Sequence, residues 1–407
     1  MIKKLEQHVT KRTEQKLNRR KFIRLAGGGV LGAATLGMTA CASTGSSEFP
    51  AESVKAWRGP QAETDPRRIA LAYAITAPNP HNLQPWLVDL KTHNEIWIYT
   101  DPSRTLPHTD PFGRQILIGH GAFIELLLIA LAEQGYWSEL QLWPRGEFGE
   151  KLVADLPIAR LTIRSGAAKD PLFAQILHRR TPKTPFDTSR VITQDNLSTL
   201  IAGNSNRAIN VRGTVDPAQL ASLRALCIDS AKVEISTPDT MMESIKLIRV
   251  GPKEILQHRD GISINSLQVR LLNTLGMFDR SAPPAAGSTA FKMALGRFEG
   301  HSQSAMGFVW MSTSGNSRTE QIEAGRAYLR LQLRATELGI GVHPMSQALQ
   351  EFAEMKPYYE LAHRLMLGRA APSSSREPVL QMFCRLGYSS APISTTPRRP
   401  MDAFLRV

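Results

Sequence analysis

Residues 112–135, FGRQILIGHGAFIELLLIALAEQG, are the stretch that decides how the first half of this chain folds. Apolar residues cover nearly every face of a helix built from them, which predicts a helix buried on all sides. His120 and Glu125 interrupt the apolar run and argue against a membrane span. The first half should therefore fold around one internal helix.

Strands are expected on both sides of this helix. Residues 86–90 and 95–99 predict a short hairpin before it, and 140–143 and 158–163 predict two strands after it. Helices and strands are mixed without regular β-α-β units, which favours an α+β fold over a doubly wound sheet. Further helices are predicted at 66–76, 172–177, 196–201, 217–231 and 318–338, and further strands at 306–311 and 382–386.

Composition limits the function classes. The 407 residues are 42% hydrophobic and 21% charged, which is globular composition. Three cysteines exclude a disulfide scaffold and four-cysteine metal sites, and the scattered histidines lack metal-ligand spacing, so no metal is assigned. Cys227 and Cys384 either pair in an oxidising compartment or remain as buried free thiols.

The net charge of +13 is concentrated at the N-terminus. Residues 1–40 hold nine basic and two acidic residues, or +7, which leaves +6 for the rest of the chain. No basic run interleaved with aromatic residues occurs in that remainder, which argues against nucleic-acid binding.

The first forty residues have the pattern of an export signal. A twin-arginine pair lies in NRRKFIR (18–24), and a short apolar run follows at 25–40. This pattern predicts a Tat signal peptide, with an uncut membrane anchor as the alternative. The GGGVLG sequence at 27–32 matches a dinucleotide-binding pattern but lies inside the apolar run, without a preceding strand, and is rejected.

The end of this run, Met-Thr-Ala-Cys at 38–41, is similar to a lipobox, in which Cys41 would be acylated and the protein attached to a membrane. Plain cleavage near Ala40 is the alternative. Residues 41–64 are expected to form a tether. The protein should then be periplasmic or lipid-anchored after passage through the Tat translocase.

Three short segments carry candidate binding residues. APNPHNLQPW (77–86) is a proline-stiffened loop with amide side chains, which suit a ligand rich in carbonyls and ring nitrogens. HRRTPKTPF (178–186) combines three cations with hydroxyl groups and suits a phosphate. PRRP (397–400) could add cations. Each segment taken alone also fits an ordinary turn or a solvated basic stretch.

Together these segments resemble the FMN-dependent nitroreductase family. The first resembles its APSxxNxQPW loop and the second its opening RRSxRxF, while AGRAYLRLQLRATELGIG (324–341) looks like its aGxaxxnlxLaAxxlGLG helix. PRRP stands where the family has C-terminal basic residues that contact phosphate. The double length and DPFGRQ (110–115) are closer to the Acg-like subgroup, which looks like two nitroreductase modules fused in one chain.

The resemblance implies a nitroreductase-like fold with modules at 65–170 and 171–407, joined as an intramolecular pseudo-dimer. In the family, the arginine-rich opening and the NxQPW loop come from different subunits of a homodimer with flavin at the interface. Since each module here has only one of them, one complete flavin site is expected, and residues 81–84 should lie near 179–183.

The resemblance also implies which residues bind FMN and how. Cations should take the phosphate and ribityl end, the first loop should contact the ring and ribityl chain, and a glycine backbone should approach the isoalloxazine edge. The cations are Arg179, Arg180, Lys183, Arg398 and Arg399. The loop residues are Pro78, Asn82 and Gln84, and the glycines are Gly339 and Gly341. Asn79 and Pro80 replace family serines, and Lys183 replaces an arginine.

Two functions follow from this resemblance. The first is an exported oxidoreductase that passes electrons through flavin N5 to a small nitro, quinone or similar acceptor, from an unknown donor, with no dedicated catalytic residue. The alternative is a flavin-sequestering protein with little turnover. Residues 251–300 are irregular and rich in Pro and Gly, and are expected to form a lid over the flavin or a disordered surface insertion.

Overall fold

The computed structural model describes residues 48–406. The predicted signal peptide at 1–40 and the lipidation site Cys41 lie outside these residues. From Phe49 onward the chain forms one compact unit by its internal contacts.

The described elements mix helices and strands along the whole chain. The helices are α1 (Pro66–Ala74), α2 (Arg114–Glu133), α3 (Gln194–Ala202), α4 (Pro217–Ser236), α5 (Pro238–Lys246), α6 (Gly251–His258), α7 (Leu267–Thr274), α8 (Thr289–Gln303), α9 (Arg318–Glu337) and α10 (Lys356–Leu367). The strands are β1 (Trp86–Asp89), β2 (Glu95–Thr100), β3 (Tyr136–Leu142), β4 (Ala159–Ser165), β5 (Asn210–Thr214), β6 (Ile248–Val250), β7 (Ile262–Ile264), β8 (Gly307–Thr313), β9 (Gly341–Pro344) and β10 (Val379–Gly387). This is the α+β architecture that the sequence predicts.

Two four-stranded antiparallel sheets have the same connectivity. The first has the order β1-β2-β4-β3 and the second β5-β8-β10-β9. In each sheet a 20-residue helix joins the second strand to the strand at the far edge, α2 in the first and α9 in the second. A short helix precedes the first strand in both, α1 before β1 and α3 before β5. The topology of the first half is thus repeated in the second.

The helices α2 and α9 pack directly on each other, and two glycines allow the contact. A Cβ atom on Gly121 would lie 2.0 Å from the Ile322 carbonyl oxygen, and one on Gly325 would lie 2.0 Å from the Ile118 carbonyl oxygen. Gly121 lies three positions after Ile118, and Gly325 lies three positions after Ile322. Each glycine therefore contacts the carbonyl three positions before the other glycine. Such reciprocity is the property of a two-fold interface.

Helix α2 is the centre of the larger core. Of the described helices it alone is long and apolar enough to cross a bilayer, yet 83% of that stretch is buried inside the protein. Its buried Glu125 accepts hydrogen bonds from Arg326 and Arg330 of α9, at 2.8 and 2.9 Å. Apolar side chains of α1, β1, β2 and β4 pack around it. This is the buried helix expected from the sequence.

Two segments differ from the sequence-based expectation. Within the expected tether at 41–64, Ala51–Arg58 forms a 3-10 helix, and its Trp57 is buried. Residues 251–300, expected to be irregular, contain α6, α7 and most of α8. Proline and glycine suggested an irregular segment there, but α6 and α7 are short helices and α6 itself begins at Gly251-Pro252.

The two described cysteines are free thiols. Cys227 lies in α4 and Cys384 in β10, both are buried, and no disulfide joins them. Burial raises the pKa of both thiols. Of the two readings left open by the sequence, buried free cysteine is the one that the structure shows.

Candidate functional site

The loop between α1 and β1 has a strained backbone. His81, Asn82 and Gln84 have φ values of 49°, 54° and 53°, in the left-handed region that non-glycine residues rarely adopt. Such residues cost on the order of 1–3 kcal/mol each and persist only where the surroundings hold them. A cluster of three in four positions marks this loop as a functional candidate.

Amide side chains hold the loop in this shape. The Asn79 Oδ1 atom accepts a hydrogen bond from the Gln84 backbone N–H at 2.8 Å, and its Nδ2 donates to the Ala77 carbonyl. Gln84 is fully buried: Oε1 accepts from the Arg399 N–H at 2.9 Å, and Nε2 donates to the Arg259 and Asn82 carbonyls. Gln84 therefore ties three segments together, and its amide is occupied by protein groups.

The C-terminal segment returns to this loop through Arg398. Its guanidinium group donates to the Asn82 Oδ1 atom at 2.7 Å and to the backbone carbonyls of Ile75, Thr76 and Ala77. Asn82 Nδ2 in turn donates to the Pro397 carbonyl at 3.0 Å. Arg398 is thus a buried cation at the C-terminal end of α1, where carbonyl groups are unpaired.

Three arginines surround one tryptophan. The guanidinium carbons of Arg179, Arg180 and Arg398 lie 5.5, 4.5 and 5.3 Å from the centre of the Trp57 ring. Arg179 also donates to the Gln332 amide of α9 at 2.8 Å and to the Thr76 carbonyl at 3.1 Å. The structure therefore places residues 179–180 beside the loop at 76–82, although about a hundred residues separate them in sequence.

Lys183 lies on a segment whose backbone is clamped from both sides. Arg385, fully buried in β10, donates to the carbonyls of Pro182 and Thr184 at 3.3 and 2.7 Å. His301 Nε2 donates to the Lys183 carbonyl at 2.9 Å. Three successive carbonyls are held in this way. The Lys183 side chain itself has no hydrogen-bond or ion-pair partner among the described residues.

Burial and mutual repulsion lower the pKa of these cations. Burial lowers the pKa of Arg179 to about 10 and that of Arg398 to about 9, and the neighbouring arginines act in the same direction on Arg398. Lys183 is exposed to solvent, yet crowding by protein atoms, with Arg297 and Arg398 nearby, lowers its pKa to about 8. The pKa of His81 falls to about 4, through burial and then Lys183.

No carboxylate neutralises this group. Within residues 48–406, none of these cations lies within 4.0 Å of an Asp or Glu oxygen. We call them the cation cluster: Arg179, Arg180, Lys183, Arg297 and Arg398. Arg179 and Arg398 are buried without anionic partners in this part of the chain, which is costly, so the arrangement suits a ligand that brings negative charge.

The other residues singled out in the sequence lie apart from the cluster or serve it indirectly. Pro78 lies in the loop itself, half-buried. Gly341 has no room for a side chain, because a Cβ would lie 2.7 Å from the Phe186 ring and 2.8 Å from Pro182. Gly339, with φ of 68° and nothing near its missing Cβ, ends α9 at the surface.

Arg399 points away from its neighbour Arg398. It lines a different cavity, of about 410 Å³, with Arg104 and residues 256–260. Its guanidinium group stacks on Phe404 at 4.9 Å and donates to the Ala403 carbonyl. The Arg399 backbone N–H donates to Gln84 and so helps to hold the loop. The charge of its side chain lies outside the cation cluster.

Sequence reasoning missed several residues of this site. Trp57 was hidden in a stretch taken for a tether, and an isolated tryptophan in a polar segment was the only signal for it. Gln332 lies on the buried face of a helix, where a polar side chain between leucines could have been noticed. The clamp of His301 and Arg385 has no local signal, because its parts lie 84 residues apart.

Comparisons with known proteins agree with the resemblance seen in the motifs. No family model matches the chain. The Mycobacterium tuberculosis protein named "Putative NAD(P)H nitroreductase acg" is 24% identical over 363 residues, which cover 84% of this chain and 96% of that protein. A second protein of that organism with the same description is 24% identical over 354 residues, 84% of this chain and 91% of that protein.

Among solved structures, the FMN-dependent nitroreductase NfnB from Mycobacterium smegmatis, in complex with NADPH, aligns with 57% of this chain and 96% of its own. Sequence identity is 16% and the TM-score 0.36, too low to establish a common fold. The sequence comparisons carry further: over 84% of its length, this chain is similar to proteins described as nitroreductases.

Proposed function

We propose that this protein is an FMN-dependent oxidoreductase of the nitroreductase type, with the flavin phosphate held by the cation cluster. The observation that carries the proposal is the convergence of five cations, without a carboxylate partner among the described residues, beside a strained loop. The names of the relatives, NAD(P)H nitroreductases, support the same class.

The residues present fit FMN. Its phosphate is a dianion near neutral pH. Arg179 offers a buried guanidinium group and Lys183 a free ammonium group, while Arg398, whose nitrogens all donate to protein oxygens, adds positive charge. The Arg179 Nε atom is buried and has no hydrogen-bond partner, which leaves a donor for a ligand oxygen. The Trp57 face keeps three arginines apart and oriented although they repel one another.

When bound, FMN would supply electron transfer to the substrate. The chain itself binds and orients: the cluster fixes the phosphate end, and the loop at 77–84 presents its backbone to the rest of the cofactor. Asn82 and Gln84 act on the loop through Arg398 and Arg399, since their amides already bond to protein groups. Neutral His81, whose pKa is about 4, adds a hydrogen-bonding ring beside Lys183 without a further positive charge.

The two halves are proposed to be nitroreductase modules fused as a pseudo-dimer. Their shared strand order and the reciprocal contacts of Gly121 and Gly325 support this. The module bounds at 65–170 and 171–407 follow the two sheets, which occupy residues 86–165 and 210–387. The cation cluster draws Arg179, Arg180, Lys183, Arg297 and Arg398 from the second module and the loop from the first.

Export is proposed from the N-terminal sequence, with Tat passage and attachment through Cys41. The far side of the membrane holds essentially no NAD(P)H, so a quinol or another donor is favoured over nicotinamide. Replacing Arg19 and Arg20 by Lys should retain the protein in the cytoplasm, as cell fractionation would show. Unchanged distribution would remove the Tat assignment.

Anaerobic stopped-flow spectroscopy tests the function. The purified chain, loaded with FMN, is mixed separately with NADPH and with a soluble quinol, and flavin absorbance is followed. Bleaching by the quinol, with reoxidation by a nitroaromatic or a quinone, is the expected result. Fast bleaching by NADPH would restore the nicotinamide donor. If neither bleaches the flavin while dithionite does, the flavin-sequestering function replaces the oxidoreductase.

A further inference from the structure

Exposed apolar side chains are concentrated in one part of the chain. Of the ten large apolar residues that are exposed within residues 48–406, six lie between positions 256 and 293. We call them the apolar patch: Leu256, Leu267, Leu271, Leu275, Met277 and Met293. Their concentration on one segment needs an explanation, because scattered exposed leucines are ordinary and grouped ones mark interaction sites.

Helix α7 and the residue that caps its C-terminus present three of these residues in a row. Leu267, Leu271 and Leu275 are 65%, 57% and 56% exposed. Residues four apart lie on the same helix face, so the three leucines form one stripe that no described element covers. None of the residues of α7 is classed as buried. The helix thus lies on the surface with an apolar face toward solvent.

The cations near the stripe have no acidic partner. Arg270 belongs to α7 itself, Lys253 lies at the start of α6, and Lys292 and Arg297 lie on α8. None of the four lies within ion-pair distance of a carboxylate among residues 48–406, whereas Arg249 and Arg280 of the same region are paired with Asp260 and Glu254. This segment therefore carries four cations without a carboxylate partner in the described chain, together with the exposed Asp279 and the partly exposed Glu299.

We propose that this face docks on the surface of an anionic lipid bilayer, with the leucines of α7 inserted at the boundary of headgroups and acyl chains. Amphipathic helices with leucines on one face and Lys or Arg beside them bind in this way. A second copy of the chain fits less well. The three leucines of the stripe offer roughly 300 Å² of apolar surface, whereas a stable dimer buries about 800 Å² per partner.

Helix α8, which carries Met293 of this patch, also carries Arg297 of the cation cluster. Met293 and Arg297 are one turn apart on α8 and share a face, and Arg297 is close enough to Lys183 to lower its pKa. Docking would therefore bring the bilayer near the proposed cofactor site and favour a lipid-soluble quinone as the electron carrier. This last step rests on the proposed function; the docking itself does not.

Local fluorescence quenching tests the docking on the full chain. Cys227 and Cys384 are buried, so a bimane label placed by L271C in a C41S background should react at one position. Vesicles of 30% phosphatidylglycerol and 70% phosphatidylcholine with brominated acyl chains should quench this label at least twofold. The matched control is V191C, whose site is 62% exposed but outside the patch, and it should remain unquenched.

Two further measurements complete the test. The L267S and L275S substitutions, both at exposed sites, should abolish quenching at position 271 while circular dichroism stays unchanged, and 0.5 M NaCl should weaken it. Absence of quenching at 271, or equal quenching at 191, would overturn the proposal. A third outcome is a protein that has the mass of a dimer in solution, shows no quenching, and becomes monomeric with L267S and L275S. That outcome would assign the face to a second copy of the chain. None of these readouts requires bound flavin.

Discussion

Arg398 and Arg399 are neighbours in sequence, but their side chains lie in different surroundings. Replacing Arg398 by Ala removes a buried cation from the cluster and releases the loop that it holds, and should weaken FMN binding about 10- to 100-fold. Replacing Arg399 by Ala removes a charge that faces the other cavity, and binding should change less than about threefold.

Equilibrium titration of flavin fluorescence measures both constants. Because Arg398 also bonds to four backbone carbonyls, the melting temperature of each variant is recorded beside its dissociation constant, and R398K, which retains a charge, serves as a milder substitution. Equal losses in R398A and R399A would return Arg399 to the phosphate site.

Lys183 should make FMN binding depend on pH. Its pKa in the free protein is about 8, and a bound phosphate dianion would raise it. Binding then takes up a proton between the two pKa values, so affinity should fall as pH rises from 7 to 8.5. The phosphate stays dianionic over this range, because its second pKa is about 6.

The K183R variant provides the matched control, since a guanidinium group keeps its charge through this range. Dissociation constants measured at four pH values should rise several-fold for the wild-type chain and stay nearly flat for K183R. Parallel pH profiles in the two proteins would show that another group is responsible.

At the residue scale, the sequence predicted which segments would carry charge but not how their side chains would be used. Asn82 and Gln84 were expected to contact a cofactor, and the structure adds that their side-chain amides bond to protein groups. Trp57 was not expected at all. The contacts of amide and ring side chains depend on which backbone groups of distant segments lie beside them in the fold. A local sequence pattern does not contain that information.

At the scale of elements, the contact of α2 with α9 depends on two glycines. A methyl group at Gly121 or Gly325 would meet a backbone oxygen at 2.0 Å, which only a movement of the helices could relieve. We expect G121A and G325A each to lower the free energy of unfolding by at least about 3 kcal/mol.

G296A is the control, because Gly296 lies in α8 and the nearest atom to its added Cβ would be a flexible Glu299 oxygen at 3.9 Å. There the substitution should stabilise by about 0.5–1 kcal/mol through helix propensity. Urea unfolding followed by circular dichroism compares the three variants. A G121A protein as stable as G296A would contradict the close approach of the helices.

The long helices and most strands of the two sheets were predictable. The helices α5 to α8 and α10, the strands β5, β6, β7 and β9, and the pairing of distant elements were not. Apolar periodicity and capping residues placed α2 and α9 within two residues of their observed ends. The strand β5, NVRGT, escaped because Arg and Gly break its alternation. The crossing of α2 and α9 joins positions about two hundred residues apart in the sequence. A single glycine in an apolar helix does not by itself predict a helix contact.

For the whole molecule, the repeated topology raises the question of a second site, and the charges argue against one. At the start of the first half, Arg67 is paired with Asp65 at 2.8 Å, and Arg68 with Glu63 at 2.8 Å and Asp402 at 3.1 Å. Arg179 and Arg180, by contrast, have no acidic partner among the described residues. Cations already neutralised by carboxylates offer little to a phosphate.

The loop between α3 and β5 differs from its counterpart between α1 and β1 in the same sense. Residues 203–209 read GNSNRAI and have no left-handed backbone among non-glycine residues. The Asn206 Nδ2 atom donates to the Glu323 carboxylate at 2.6 Å, and that carboxylate is paired with Arg326, so the cation at this contact is already neutralised. The second half therefore repeats the scaffold without a loop like that at 77–84.

One FMN per chain is the expected stoichiometry. The protein is reconstituted with excess FMN, and unbound flavin is removed by gel filtration. It should then contain about one flavin per chain. Flavin is measured by absorbance after denaturation, and protein by amino-acid analysis. Mutation then separates the two halves. R179A should reduce the content well below one, because it removes a cluster cation, whereas R67A, which removes a cation already paired with Asp65, should leave it at one. Two flavins per chain, or loss of flavin in R67A, would show that the first half retains a site of its own.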